Sequence, residues 1–243
     1  MVRLLLLLTF SSFCFAQQAP PRPKFANINP AWSPDGKRLV FESERSGGTD
    51  IYILDLKTNK EVRVTDDPAA DTHADWSPDG KRIVFDSQRG GKFHIYTAKA
   101  DGTDIRRLTQ DADANNSSAG RHPQWSPDGK RIAFDSDRDG NNEIYVVEIA
   151  TGKQTRLTDF PGRDGHPAWS PDGKQILFSR SFDRNSEVMI MNADGSDIRN
   201  LSNNPAVEYG GKFSPDGKRI VSGGFDTVIK VWSVENGQVV PKP

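Results

Sequence analysis

Three of the four histidines in this chain of 243 residues occupy one repeated position. His73, His122 and His166 each stand three residues before a tryptophan, in "HADW", "HPQW" and "HPAW". Imidazole nitrogens bind zinc and similar divalent metals, and three of them make a sufficient set that leaves one position open. That arrangement would suit a metal-dependent lyase or hydrolase. The other reading is that "H-P-x-W" is repeat vocabulary, copied by duplication, with each histidine making a local hydrogen bond. The same position holds Asn29 and Gly210 in the two remaining copies. Asp75 lies close to the first histidine, but its counterparts Gln124 and Ala168 are neutral, so no carboxylate recurs along this strand.

Two other groups have chemistry to weigh. Asp135, Asp137, Asp139 and Gly140 match the opening of a calcium-binding loop. The closing acid would fall at Val146, so a tight Asp/Gly turn between strands is the better reading. Arg45, Arg89 and Arg138 each follow a recurring serine (Ser43, Ser87, Ser136) by two residues. They can brace loops, or form a cationic rim for an acidic ligand. There is no G-x-S-x-G elbow, H-E-x-x-H pair or phosphate-binding glycine loop. An enzymatic reading therefore rests on the histidines alone.

The elements that must carry these residues are set by a repeat. "WSPDGK" begins at Trp32, Trp76, Trp125 and Trp169, and "FSPDGK" begins at Phe213. The spacings are 44, 49, 44 and 44 residues. In "SPDG" the proline suits the first central position of a type I turn, and the glycine suits the left-handed residue after it. The tryptophan before the turn is a bulky apolar residue fit to fill the space between sheets. Each unit also holds short β-branched and aromatic runs such as "RIAF" and "EIYVVEI", punctuated by Gly, Asp and Asn, with no helical period. Four strands in about 44 residues, repeated, describe an all-β propeller of five four-stranded blades with the last blade short, the ring either closed or open. An open ring would leave sheet edges that invite a partner strand.

The stretches "HPAWSPDGKQILFSR" and "WSPDGKRIAFDSDRDGNNEIYVVEIATGKQTRLT" resemble the WD-like propeller repeats of the TolB family over Asn29–Gln238. The resemblance implies a non-catalytic, periplasmic protein that binds partners in cell-envelope complexes. It is specific for the repeat and not for function. Such proteins typically have six blades and an N-terminal α/β domain, whereas this sequence shows five copies of the repeat.

The repeat also sorts the loops. The "SPDG" turns and the short turns between third and fourth strands fall on one face of the disk. The opposite face carries the longer, varied connections, and the extra five residues of the second unit fall within 110–120. Asn115 and Asn116 lie there, and with Arg45, Arg89 and Arg138 they form the candidate binding face.

The remaining sequence bounds the setting. Arg3, an apolar run and Cys14-Phe15-Ala16 read as a signal peptide over residues 1–16. Residues 17–28 read as a Pro-rich linker and 29–243 as the propeller domain. Without its signal the chain has no cysteine, so packing and not disulfides must hold it. Losing Arg3 leaves 31 basic against 33 acidic residues, a net charge near −2, which gives no support for a nucleic-acid partner. No apolar run after the signal is long enough to span a membrane. The reading is an exported, periplasmic or secreted scaffold that binds a protein or peptide without a cofactor. The alternative is the metal-dependent enzyme with a histidine-lined central channel.

Overall fold

The computed structural model describes residues 25–109, 120–203, 208–224 and 228–235. The signal segment, residues 17–24 of the linker, and Asn115 and Asn116 lie outside them. Every regular element among the described residues is a strand. No helix there is long and apolar enough to cross a membrane.

The first sheet contains β1 (Asn27–Trp32), β2 (Arg38–Ser43), β3 (Asp50–Asp55) and β4 (Lys60–Arg63). The second contains β5 (Asp71–Trp76), β6 (Arg82–Ser87), β7 (His94–Lys99) and β8 (Arg106–Arg107). The third contains β9 (Arg121–Trp125), β10 (Arg131–Ser136), β11 (Glu143–Glu148) and β12 (Gln154–Arg156). The fourth contains β13 (Arg163–Trp169), β14 (Gln175–Phe182), β15 (Asn185–Asn192) and β16 (Arg199–Asn200). The fifth contains β17 (Glu208–Phe213), β18 (Arg219–Gly224) and β19 (Ile229–Ser233). Each sheet is an antiparallel meander in chain order, a propeller blade. The segment that would supply a fourth strand to blade 5, 236–243, lies outside the described residues. β1 begins at Asn27 and takes the last two residues of the expected linker.

The five "SPDG" turns share one set of bonds. In the first, the Gly36 N–H donates to Ser33 O at 2.8 Å, and Gly36 sits at φ 66°. The Ser33 hydroxyl donates to Asp35 at 2.6 Å and accepts the Arg38 N–H at 2.9 Å. Ser77, Ser126, Ser170 and Ser214 repeat this pattern in the other blades. These bonds hold the turn carboxyls, Asp35 among them, below the ordinary range, the serine hydroxyl first and the following backbone N–H next.

The core lies between blades. Trp76 packs with Val40, Ile51 and Ile53 of blade 1 and with Ile83 and Phe85 of its own blade. Its indole N–H donates to Ala31 O at 3.3 Å, and the Arg38 guanidinium lies 4.5 Å above its ring. Trp125 enters the joint between blades 2 and 3, and Trp169 the joint between blades 3 and 4. The last joint unites Ala168, Leu177 and Val188 of blade 4 with Ile220 and Trp232 of blade 5. Period-2 alternation thus gives each blade two apolar faces, a leading face bearing the motif tryptophan and a trailing face that receives the next one.

Trp32 departs from the expectation that every motif aromatic fills a joint. It is 65% exposed, whereas Trp76, Trp125 and Trp169 are 4–8% exposed. Among the described residues, no other blade packs on the leading face of blade 1. Trp169→Ala should therefore cost roughly 3–5 kcal/mol, the range for a buried aromatic truncation. Trp32→Ala should stay within about 0.5 kcal/mol at low protein concentration. Urea denaturation of the two variants checks the contrast.

Candidate functional site

The histidine position is a β-bulge. Pairing between β5 and β6 slips between Thr72 and Asp75, and the other four blades slip at the same place. Asn29, His73, His122, His166 and Gly210 all adopt left-handed backbone, with φ between 48° and 58°. That conformation is unfavourable for a residue with a Cβ. It turns the side chain of the innermost strand toward the central channel, so the three imidazoles meet. Ring centroids are 4.2 Å apart for His73 and His122, and 4.1 Å apart for His122 and His166.

The carboxylates that seemed absent from the sequence come from the second strand. Asp86 on β6 faces His73 Nδ1 at 3.0 Å, and Asp135 on β10 faces His122 Nδ1 at 2.7 Å. A carboxylate only accepts, so each Nδ1 carries the proton and Nε2 is the nitrogen left for the channel. In blade 1, Glu42 accepts from Asn29 Nδ2 at 2.8 Å. The same acids bridge to the next blade. Glu42 accepts the His73 backbone N–H at 2.7 Å, and Asp135 accepts that of His166 at 3.2 Å. Ser179 does so for Gly210 at 3.0 Å. Asp135 is thereby committed to the channel, away from the calcium-type loop.

The channel cavity, about 330 Å³, is lined by inner-strand residues of all five blades. Beyond the histidines it meets Pro30, Pro123 and Pro167, and farther in Asp75, Gln124 and Lys212. Asp75 and Gln124 also join blades, accepting the Trp125 and Trp169 backbone N–H groups at 3.3 and 2.8 Å. Burial pushes the Asp75 carboxyl up, against the pull of the Lys212 charge. The imidazoles stack in a file, tilted by 60° and 32°. Among the described residues, no three or more His, Cys, Asp or Glu side chains are placed to hold a metal ion together.

Arg45, Arg89 and Arg138 stand at corresponding places on the loop side. Each Nε donates to its serine, Ser43, Ser87 or Ser136, at 2.9–3.0 Å. Each guanidinium lies 4.5–5.0 Å from a third-strand tyrosine ring, Tyr52, Tyr96 or Tyr145. Arg45 also pairs with Glu61, Arg89 with Asp71 at 2.8 Å, and Arg138 with Gln154 at 2.6 Å.

Blade 4 breaks this scheme. Phe182 stands where blades 1 to 3 carry arginine, and Arg180 lies two residues earlier. Arg180 clamps Asp164 through two bonds of 2.8 and 2.7 Å, with its guanidinium 4.1 Å from the Phe160 ring. Phe182 is left 57% exposed, edge-on to Phe160 at 5.7 Å. The β14–β15 hairpin is longer than its counterparts and turns through Asp183 and Arg184, both left-handed. Beside it runs a groove of about 560 Å³ whose wall includes Asn141, Asn142, Gly162, Arg163, Phe182 and Arg184. "SFDRNS" was legible as a varied loop, and the displaced arginine was the clue to the exposed aromatic.

Burial and the acid on the neighbouring strand set the pH behaviour. Burial disfavours charge on His73, but the Asp86 bond and charge, with Glu42, outweigh it and raise its pKa. His166 has no acid on Nδ1; burial, then the neighbouring His122, lower it. The stability that His73 contributes is therefore full below 6.5, the ordinary imidazole value, and is lost as pH rises through its raised value. His166 acts oppositely: stability is full above 6.5 and falls as pH drops toward its lowered value. Asp86→Asn should bring the His73 titration below that of the parent protein and leave His166 the lower of the two. Imidazole NMR shifts followed across pH test this.

Comparison with known proteins fits the blade geometry. A family profile described as the TolB beta propeller domain matches residues 17–122 and 119–224. A putative TolB from Agrobacterium tumefaciens superposes with a TM-score of 0.76 at 27% identity, over 88% of this chain and 79% of that one. TolB from Acinetobacter baumannii gives 0.72 at 27% identity, over 87% of this chain and 53% of that one, so this chain spans about half of that protein. An oligogalacturonate lyase from Vibrio parahaemolyticus gives 0.68 at 17% identity, over 87% and 64%, a likeness of fold. By its repeats, its blades and these matches, the chain belongs to the TolB β-propeller domain family.

Proposed function

We propose that this protein is an exported, non-catalytic scaffold that takes a protein or peptide partner on the loop side of the disk, in the periplasm or outside the cell. One observation carries this reading: Phe182 stands exposed over a groove lined by residues of blades 3 and 4. Exposed aromatics at grooves in rigid frames are the usual anchors of protein contacts. The surrounding groups suit a peptide backbone and its charges, since Asn141 and Asn142 offer amides and Arg163 and Arg184 offer guanidinium groups. Arg45, Arg89 and Arg138 extend the same face, with Asn115 and Asn116 proposed to border it. Family membership supports a binding role, and the lack of any nucleophile-and-base motif supports the absence of catalysis.

Affinity purification from envelope fractions with the protein and its Phe182→Asp variant tests the assignment. The partner captured by the parent protein should be lost from the variant, while both keep the same circular dichroism. Identical capture by the two would contradict it.

A second reading has one observation in its favour. Asp86 and Asp135 hold Nδ1 of His73 and His122 and leave Nε2 toward the channel, the orientation that acids impose on metal-bound histidines. It makes the channel a divalent-metal centre of a lyase or hydrolase, and it requires the rings to leave their stacked file. Elemental analysis of the purified protein after incubation with zinc or manganese separates the two. The scaffold reading expects no stoichiometric metal and no change on His122→Ala. One bound metal per chain, lost with that substitution, would favour the enzyme.

A further inference from the structure

We propose that this protein associates with itself head to tail, the trailing face of blade 5 in one copy seating on Trp32 of the next. Five blades make four joints among the described residues, and the two outermost faces are bare. On blade 5, Val221 is 41% exposed and Ile229 65% exposed. Their repeat equivalents are core: Val40, Val84, Ala133 and Leu177 for the first, and Ile51, Ile95, Ile144 and Val188 for the second, are all 0% exposed. Val231, between them on the same face, is half-buried, and its equivalents Ile53 and Val146 are core. On blade 1 the leading face shows Trp32, 65% exposed, with Leu39 and Leu54 half-buried beside it.

The occupant follows from the chain's own joints. In each internal joint a motif aromatic packs on an apolar trailing face. Where Arg38 or Arg131 follows the earlier blade's turn, its guanidinium covers the tryptophan at 4.5–4.6 Å. Blade 5 keeps this vocabulary, with Arg219 at the place of Arg38 and Arg131 beside Val221, Val231 and Ile229. Blade 1 keeps the matching tryptophan. Both halves of one more joint are thus present at opposite ends of the same molecule, unmade. A second copy supplies either half without any change in the blades. Such a contact is heterologous, so it leaves one free half at each end and grows with concentration.

Sedimentation velocity over a wide concentration range is the test. The parent protein should form dimers and then larger species. Trp32→Asp and Ile229→Asp each remove one half and should weaken association at least about 30-fold, as for a hot-spot residue. Mixing the two variants restores one good pair of faces, the blade 5 face of the first with the Trp32 face of the second. The mixture should therefore give a 1:1 dimer and nothing larger. Both sites are exposed, so each variant should keep the parent circular dichroism. The tryptophan emission of the parent protein should shift to the blue as it associates. A parent protein that stays monomeric throughout, with Trp32 exposed or sealed by closure of its own ring, would overturn the proposal. So would a mixture that does not combine, or variants that associate as the parent does.

Discussion

Everything in this molecule depends on one joint made four times: a motif aromatic from one blade's inner strand pressed into the apolar trailing face of the blade before it. Single sheets of four short strands cannot bury two faces alone, and with no cysteine in the described residues no covalent link helps them. The joint supplies the missing burial. It also brings the inner strand of one blade beside the second strand of its predecessor. That proximity places Glu42, Asp135 and Ser179 against the backbone N–H of the next bulge. A left-handed non-glycine residue costs about 1–2 kcal/mol, and a hydrogen bond to a charged acceptor returns about as much. The bulge is therefore a part of the joint.

The histidine file is a consequence of that arrangement. Once the bulge is left-handed, its side chain must point to the channel, and repeat geometry puts successive side chains about 4 Å apart. Imidazole is flat enough to stack there, and the acid on Nδ1 fixes each ring's tautomer in blades 2 and 3. Ser179 replaces the acid in blade 4, so His166 gains no such support. His73 and His166, the same residue at the same repeat position, thus shift in opposite directions, one with an acid on Nδ1 and one without. Blade 4 differs on the loop side for a similar local reason. Shifting the arginine from position 182 to position 180 turns it onto Asp164 and Phe160, and the aromatic left behind faces solvent.

The blades, their turns and the equivalence of His73, His122 and His166 could be read from the sequence because the repeat is strict. Turn chemistry in "SPDG" is local, and period-2 alternation identifies strands without reference to partners. The acids Asp86 and Asp135 were in plain view in "FDS", but their role was not. Their distance in sequence from the histidines is 13 residues, and only the register of β6 on β5 and β10 on β9 brings them opposite the bulge. Trp32 shows the other limit. Its motif is identical to three others, and its environment differs because, among the described residues, no trailing face packs against its blade. Repeat position determines a residue's direction, while neighbours determine whether it is covered.

Hydroxyl-radical footprinting of the tryptophans at low protein concentration, read by peptide mass spectrometry, tests the joint most directly. Trp32 should be oxidised readily, while Trp76, Trp125 and Trp169, sealed in their joints, should be protected. Equal protection of all four, or ready oxidation of any of those three, would contradict the account.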